Sequence, residues 1–372
     1  MLDLTTLTRE DLERHSVDMR QFIHFQRATL PSGMRIVEAY NSSGLTFTIL
    51  LDRGLDIWSA HYKGIPLTWI SQGSPYLPDF GQNFLQQFNG GLLTTCGLVH
   101  VGPPETDDQT GEQRDLHGRF NRLRAENVQI LPVWLKDKVN EQEYYTLELS
   151  GLIAESRLFG EQLRLERTYF MTLGKPQIDI FDKVTNVGDE PAPLMLLYHF
   201  NVGFPLVSEG AKLYTPHHAV YARNETARSG LHRWADYDAP TPGYVEQVFF
   251  HHVKTISSGG TAEAALLHDD FGLSVAWETL NLPYLTQWKN TRQGIYVSGI
   301  EPGNCIPEGQ MAARRNGRLV MIEPGRENAR RFHCRLSILD GAEAVADCKN
   351  RIEEMRQKGA PVEGCRLDDY AG

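Results

Sequence analysis

Glu301, His199 and His117 stand far apart in the chain, yet they share one local context. Glu301 closes the apolar run "IYVSGI" and is followed at once by Pro302-Gly303. His199 comes at the end of the apolar run in "LLYHFNVGFP", ahead of Asn201, Gly203 and Pro205. His117, in "DLHGRFNRLRA", precedes Gly118 and Arg119 just before a strand-like segment. Taken singly, each has a plain structural reading. A histidine in a β core is usually a satisfied hydrogen-bonding residue, and a glutamate before Pro-Gly is usually the first solvated residue of a turn. Their recurrence favours a second reading. Strands distant in sequence can bring proton-transfer groups to one concave face, and imidazole with carboxylate forms an acid–base pair tunable to neutral pH.

Other polar groups are weaker candidates. Arg53 follows a strand and precedes Gly54, so it reaches either a pocket or a surface ion pair. His100 in "GLVHVGPP" lies in a Gly/Pro-bounded loop that can line a cleft. Trp288 in "QWKN" offers either a sugar-stacking face or a core indole, and the neighbouring Lys289 reads as solvated. The adjacent pairs His217-His218 and His251-His252 point to opposite faces if they lie in strands, so neither pair converges on a ligand, and they read as surface or edge residues. A second Glu-Pro-Gly, at Glu323, has charged flanks and reads as an ordinary turn.

The elements that must position these groups are overwhelmingly β. "EYYTLELSGLIAES", "EQLRLERTYFMTL", "PQIDIFDKVTNVG" and "PAPLMLLYHFNVGFP" succeed one another with turn residues between them. The alternation in Leu163-Arg164-Leu165-Glu166-Arg167-Thr168-Tyr169 predicts antiparallel strands with one solvated face. Helical patterns are confined to the ends: a short helix capped by Thr8, and "AEAVADCKNRIEEMRQKG" stopping at Gly359. No linker or change of composition divides the chain, so residues 1–372 read as one large all-β domain, an antiparallel β-sandwich with short helices near its termini.

Composition narrows the classes further. The 372 residues are 41% hydrophobic and 23% charged, the balance of a globular protein with a sizeable core. A formal net charge of −10 argues against nucleic acid or an anionic membrane surface as partner. The N-terminal residues lack the apolar run of a signal peptide, and no stretch approaches a membrane span. Five scattered cysteines, none in a C-x-x-C pair, predict reduced thiols and a cytoplasmic location.

Three segments resemble the aldose 1-epimerase (galactose mutarotase-like) superfamily, in particular an uncharacterised bacterial branch. "LHGRFNRL" is similar to the family's histidine-glycine segment on the substrate-binding face, and "YHFNVGFP" to its histidine strand ending in aromatic-Asn. "PYLTQWKNTRQGIYVSGIEPGNCIPEG" resembles the late segment in which an aromatic-rich strand leads to the Glu-Pro of the base. The order along the chain matches, and the likeness runs roughly from Gly33 to Leu339. The resemblance implies a large β-sandwich and an enzyme interconverting the α and β anomers of a free sugar, with Glu301 as base and His199 as acid. His117, Arg119, Arg53, His100, Asn201 and Trp288 are then the substrate-binding candidates. No redox cofactor, covalent intermediate or metal is implied, and a carboxylate beside His199 is expected to favour its protonated form.

Two other readings stay open. One is a metal-dependent sugar isomerase or lyase using His100, His117, His199 and Glu301 as ligands. The other is a carbohydrate-binding protein that does not turn its sugar over. The expected partner is a small-molecule sugar, with a homodimer also open.

Overall fold

A computed structural model describes residues 4–73, 75–136, 142–257 and 259–370. Among them, strands build three larger sheets. The first runs Ile23–Thr29, Arg35–Asn41, Leu45–Leu50, Asp56–Tyr62 and Ile65–Pro66, each strand pairing with the next. The second has eight strands, with Gln162–Thr172, Gln177–Asn186, Arg330–Asp340 and Phe271–Glu278 side by side near its middle. The third carries the candidate residues. Its order is His217–Ala222, Gln247–Thr255, Tyr284–Arg292, Ile295–Gly303 and Ala192–Gly203, and Leu93–Leu98 also pairs with Ala192–Gly203. All named strand pairs are antiparallel, the architecture expected from the sequence.

Burial along the strands follows their surroundings. Gln162–Thr172 alternates exposed and buried positions, so one face meets solvent. Ala192–Gly203 and Ile295–Gly303 are buried at nearly every position, because both faces of the third sheet are covered at its centre. Inward residues of the second and third sheets, such as Leu165, Ile180, Leu196 and Phe200, join one hydrophobic cluster. Burial of this apolar face is the main favourable term in folding.

That core holds a charged cluster. Arg167 is fully buried, and its Nη2 lies 2.7 Å from Asp182 while its Nη1 lies 2.9 Å from Asp56. The Tyr198 hydroxyl donates to Asp182 at 2.7 Å. Tyr198 precedes His199 and faces the opposite side of the sheet, so the cluster ties the histidine strand down from beneath.

The terminal helices form as the sequence predicts. Thr8 and Asp11 make a reciprocal capping box on Arg9–His15, and the last helix spans Ala342–Lys358 with Gly359 as its cap. Two expectations change: short helices also form within the chain, at Phe84–Gln87, Glu225–Ser229 and Gln310–Arg315, where connections between strands close a turn, and one strand runs further than its pattern indicates. The strand does not end at Glu301; it continues through Pro302 to Gly303, with Pro302 opposite Leu285. Glu301 is therefore held inside a strand with a neighbour on each side. All five cysteines are unpaired, and among the described residues no helix is long and apolar enough to cross a membrane.

Candidate active site

Strand register brings the two principal residues together. Phe200 pairs with Ile300 across the Ala192–Gly203 and Ile295–Gly303 strands, which sets His199 beside Glu301 on one sheet face. His199 Nε2 and Glu301 Oε1 are 3.2 Å apart. The approach lacks hydrogen-bond alignment. Glu301 Oε1 and His199 Nδ1 are both buried without a hydrogen-bond partner, an arrangement that folded proteins rarely leave unfilled. Asn201 holds the backbone here: its Nδ2 donates to the carbonyls of His199 at 3.0 Å and Gly91 at 2.9 Å.

Room for the carboxyl comes from Gly299, two residues earlier on the same face. A Cβ there would collide with Glu301 Oε1 and would stand 2.9 Å from Trp288 Cβ and 3.2 Å from His199 Cε1. Aromatic rings enclose the imidazole. Trp288, Phe88 and His117 lie edge-on to it at ring-centroid distances of 5.5, 6.2 and 6.2 Å. Trp69 joins Phe88 and Trp288, each at 5.8 Å. His117 takes a left-handed backbone (φ +56°) and leaves its own Nδ1 buried without a partner. These groups line a cleft of about 1130 Å³.

Electrostatics follow from burial. Desolvation pushes the Glu301 carboxyl well above the ordinary carboxylate range; the Arg223 guanidinium acts in the opposite direction, and Glu246 reinforces the rise. Desolvation also lowers His199 to about 4 and His117 to about 3. This runs against the expectation that the carboxylate keeps His199 protonated: desolvation favours the uncharged form of both partners. On the cleft wall Glu246 accepts a hydrogen bond from Trp288 Nε1 at 2.7 Å and pairs with Arg223 at 2.9 Å, fixing the indole.

Of the residues singled out in the sequence, Glu301, His199, His117 and Trp288 share the cleft. The other four lie outside its lining. Arg53 is buried, lowered to about 10 by desolvation, and donates to the carbonyls of Gln87 at 2.9 Å and Tyr76 at 3.4 Å, so it secures the segment that bears the aromatic wall. His100 is turned toward the Pro103 carbonyl, 2.9 Å away, and Glu105, 3.4 Å away. Arg119 lies 3.3 Å from Glu155 and donates to the Ser156 carbonyl at 2.8 Å, beside a separate, smaller cavity. Asn201 works on the backbone as described.

Because His100 points away, the four-residue ligand set does not converge, and among the described residues no group of three His, Cys, Asp or Glu is placed to hold a metal ion.

Two surface expectations are corrected. Lys289 is buried, lowered to about 8 by desolvation, and donates to the Arg233 carbonyl at 2.8 Å; it alternates with Trp288 and so faces away from the cleft. His251 is also buried, 3.1 Å from Gln287 Oε1, whereas Glu323 is exposed as expected for a turn. Sequence reasoning passed over Trp69, Phe84, Phe88, Thr286, Arg223 and Glu246 as cleft residues. The aromatic spacing in "WISQGSPYLPDFGQNFLQQF" was the available signal for the first three.

The antiparallel sheets, with a cleft on one sheet face, form a β-sandwich of the galactose mutarotase-like fold. Solved structures carry that fold. A Klebsiella pneumoniae protein provisionally assigned as an aldose 1-epimerase superposes with a TM-score of 0.80 at 23% identity, over 94% of this chain and 95% of that one. A galactose mutarotase-like protein from Clostridium acetobutylicum gives 0.56 at 13% identity, over 86% and 99%. The galactose 1-epimerase of Lactobacillus acidophilus NCFM gives 0.51 at 13% identity, over 86% and 99%. By sequence, the chain belongs to the family described as Domain of unknown function (DUF4432), whose profile matches residues 31–338. A comparison with curated proteins found no match.

Proposed function

We propose that the protein is a mutarotase, interconverting the α and β anomers of a free sugar. The observation that carries this reading is the His199–Glu301 pair, 3.2 Å apart and unaligned, with an unpartnered polar atom on each side chain beneath an open cleft. Ring opening requires two proton transfers. A base takes the proton of the anomeric hydroxyl, the C1–O1 bond becomes a carbonyl, and the C1–O5 bond breaks with its electron pair going to O5, which an acid protonates. Rotation about C1–C2 and reversal of both transfers yield the other anomer and return the pair to its starting protonation.

A carboxyl and an imidazole that share one proton meet this need. Glu301 acts as base and His199 as acid once substrate is bound. Sugar hydroxyls bonded to the unpartnered atoms favour the ionised pair over the resting neutral one, because hydrogen bonds to a charged form stabilise it. Arg223 biases Glu301 the same way. Trp288, fixed by Glu246, supplies an apolar face for the C–H side of the ring, and His117 offers Nδ1 to a hydroxyl.

The chemistry itself needs no group beyond these side chains. The test is polarimetry or NMR exchange spectroscopy of anomers over a panel of aldoses with the purified protein. Acceleration above the buffer rate that is lost in Glu301→Gln supports the reading, and binding without acceleration removes it.

A further inference from the structure

One sugar ring seated on His199, Glu301 and Trp288 leaves much of the cleft unfilled. The volume, about 1130 Å³, lies just above the roughly 300–1,000 Å³ typical of sites that bury drug-sized ligands. The unfilled part has a definite floor. On the cleft face of the third sheet Glu301 pairs with Thr286, and Thr286 pairs with Phe250, so His199, Glu301, Thr286 and Phe250 form a row across four strands. Strands lie about 4.8 Å apart, which places Phe250 roughly 10 Å from Glu301.

Two features of this outer region point to a ligand. Thr286 is 1% exposed, lines the cleft, and its Oγ1 has no hydrogen-bond partner. Beyond it Tyr370 packs edge-on against Phe250 at 4.8 Å and forms an aromatic end wall. A buried, unfilled hydroxyl between the reactive pair and an aromatic wall matches a polar linkage followed by a second ring: oxygen over Thr286, C–H face toward the aromatic side chains.

We propose that the cleft contains a second saccharide subsite, built by Thr286, Phe250 and Tyr370, and that the substrate is an uncharged reducing disaccharide whose reducing ring sits at Glu301. This rests on the mutarotase reading for the reaction, but not for the binding. The second ring is uncharged because the charged groups of the lining are already paired, Glu246 with Arg223 and Glu308 with Arg318, and burial favours the uncharged form of Glu301.

The experiment is titration calorimetry on the full chain with glucose and galactose against maltose, cellobiose and lactose, with anomer exchange measured in parallel. At least one disaccharide is expected to bind about 10-fold more tightly than its own reducing monosaccharide. Tyr370→Ala and, independently, Thr286→Val should each shrink that ratio severalfold while the melting temperature shows the variants folded. Disaccharides that bind no better than monosaccharides, or a ratio untouched by both substitutions, overturn the subsite. Preferential binding without faster exchange upholds the subsite and removes the mutarotase reading; exchange without preferential binding does the reverse.

Discussion

His199 Nε2 approaches Glu301 Oε1 to 3.2 Å on neighbouring strands, and the two are misaligned for a bond to each other. The misalignment matters chemically: groups locked in a mutual hydrogen bond would have to break it before meeting a substrate, whereas these are aimed beside one another. Glu301→Gln keeps the shape and removes the titrating proton, so it should abolish measurable exchange. His199→Asn should lower kcat by roughly 100-fold or more. Polarimetric rates on folded variants decide; full activity in either would show that the reaction runs elsewhere.

The pH dependence separates this pair from an exposed one. Burial keeps His199 neutral down to about 4 and holds the Glu301 proton beyond the ordinary carboxylate range. A second proton disables the pair by charging His199, so kcat/KM should fall as pH drops through about 4 rather than near the unperturbed histidine value of about 6.5. At the other end, activity should decline only where Glu301 loses the shared proton, above the usual carboxylate range. A pH–rate profile with its acid limb near 6.5 would contradict the burial argument.

Gly299→Ala tests how tightly the carboxyl is held. The new methyl would collide with Glu301 Oε1 and crowd Trp288 and His199. Displacing a reacting group by about 1 Å can cost on the order of 100-fold, and overpacking costs about 1–3 kcal/mol. A marked fall in kcat with a modestly lowered melting temperature is expected.

Glu246→Gln tests the wall. It weakens the bond that fixes the Trp288 indole and removes the charge paired with Arg223. A severalfold rise in KM with a smaller change in kcat is expected, because the indole contributes binding rather than proton transfer.

Arg167→Met tests the buried cluster beneath the histidine strand. It strands Asp182 and Asp56 as uncompensated buried carboxylates, and breaking such a pair costs about 3–5 kcal/mol. Urea denaturation should show that loss.

Much of this architecture is legible in the residues. Alternation in the Leu163–Tyr169 run places Arg167 on the apolar face with Leu163, Leu165 and Tyr169, and the structure buries it there. Turn residues separate the strands, and the helix caps at Thr8 and Gly359 lie where the pattern puts them. The site is legible only in part. His199 and Glu301 become neighbours through the pairing of Phe200 with Ile300, a register between strands that local pattern does not encode. Arg53, His100 and Arg119 resembled cleft residues because a Gly or Pro nearby marks a loop, but nothing local says which way a loop side chain turns. Lys289 looked solvated because lysine usually is; once Trp288 faces the cleft, alternation sends Lys289 to the buried side.

His199 and Glu301 ride on interior strands, whereas Phe84 and Phe88 come from a separate segment tethered by Arg53. In the proposed mutarotase, reactivity and selectivity would belong to different parts of the polypeptide. A change confined to that segment would then alter which sugar fits while leaving the pair in place.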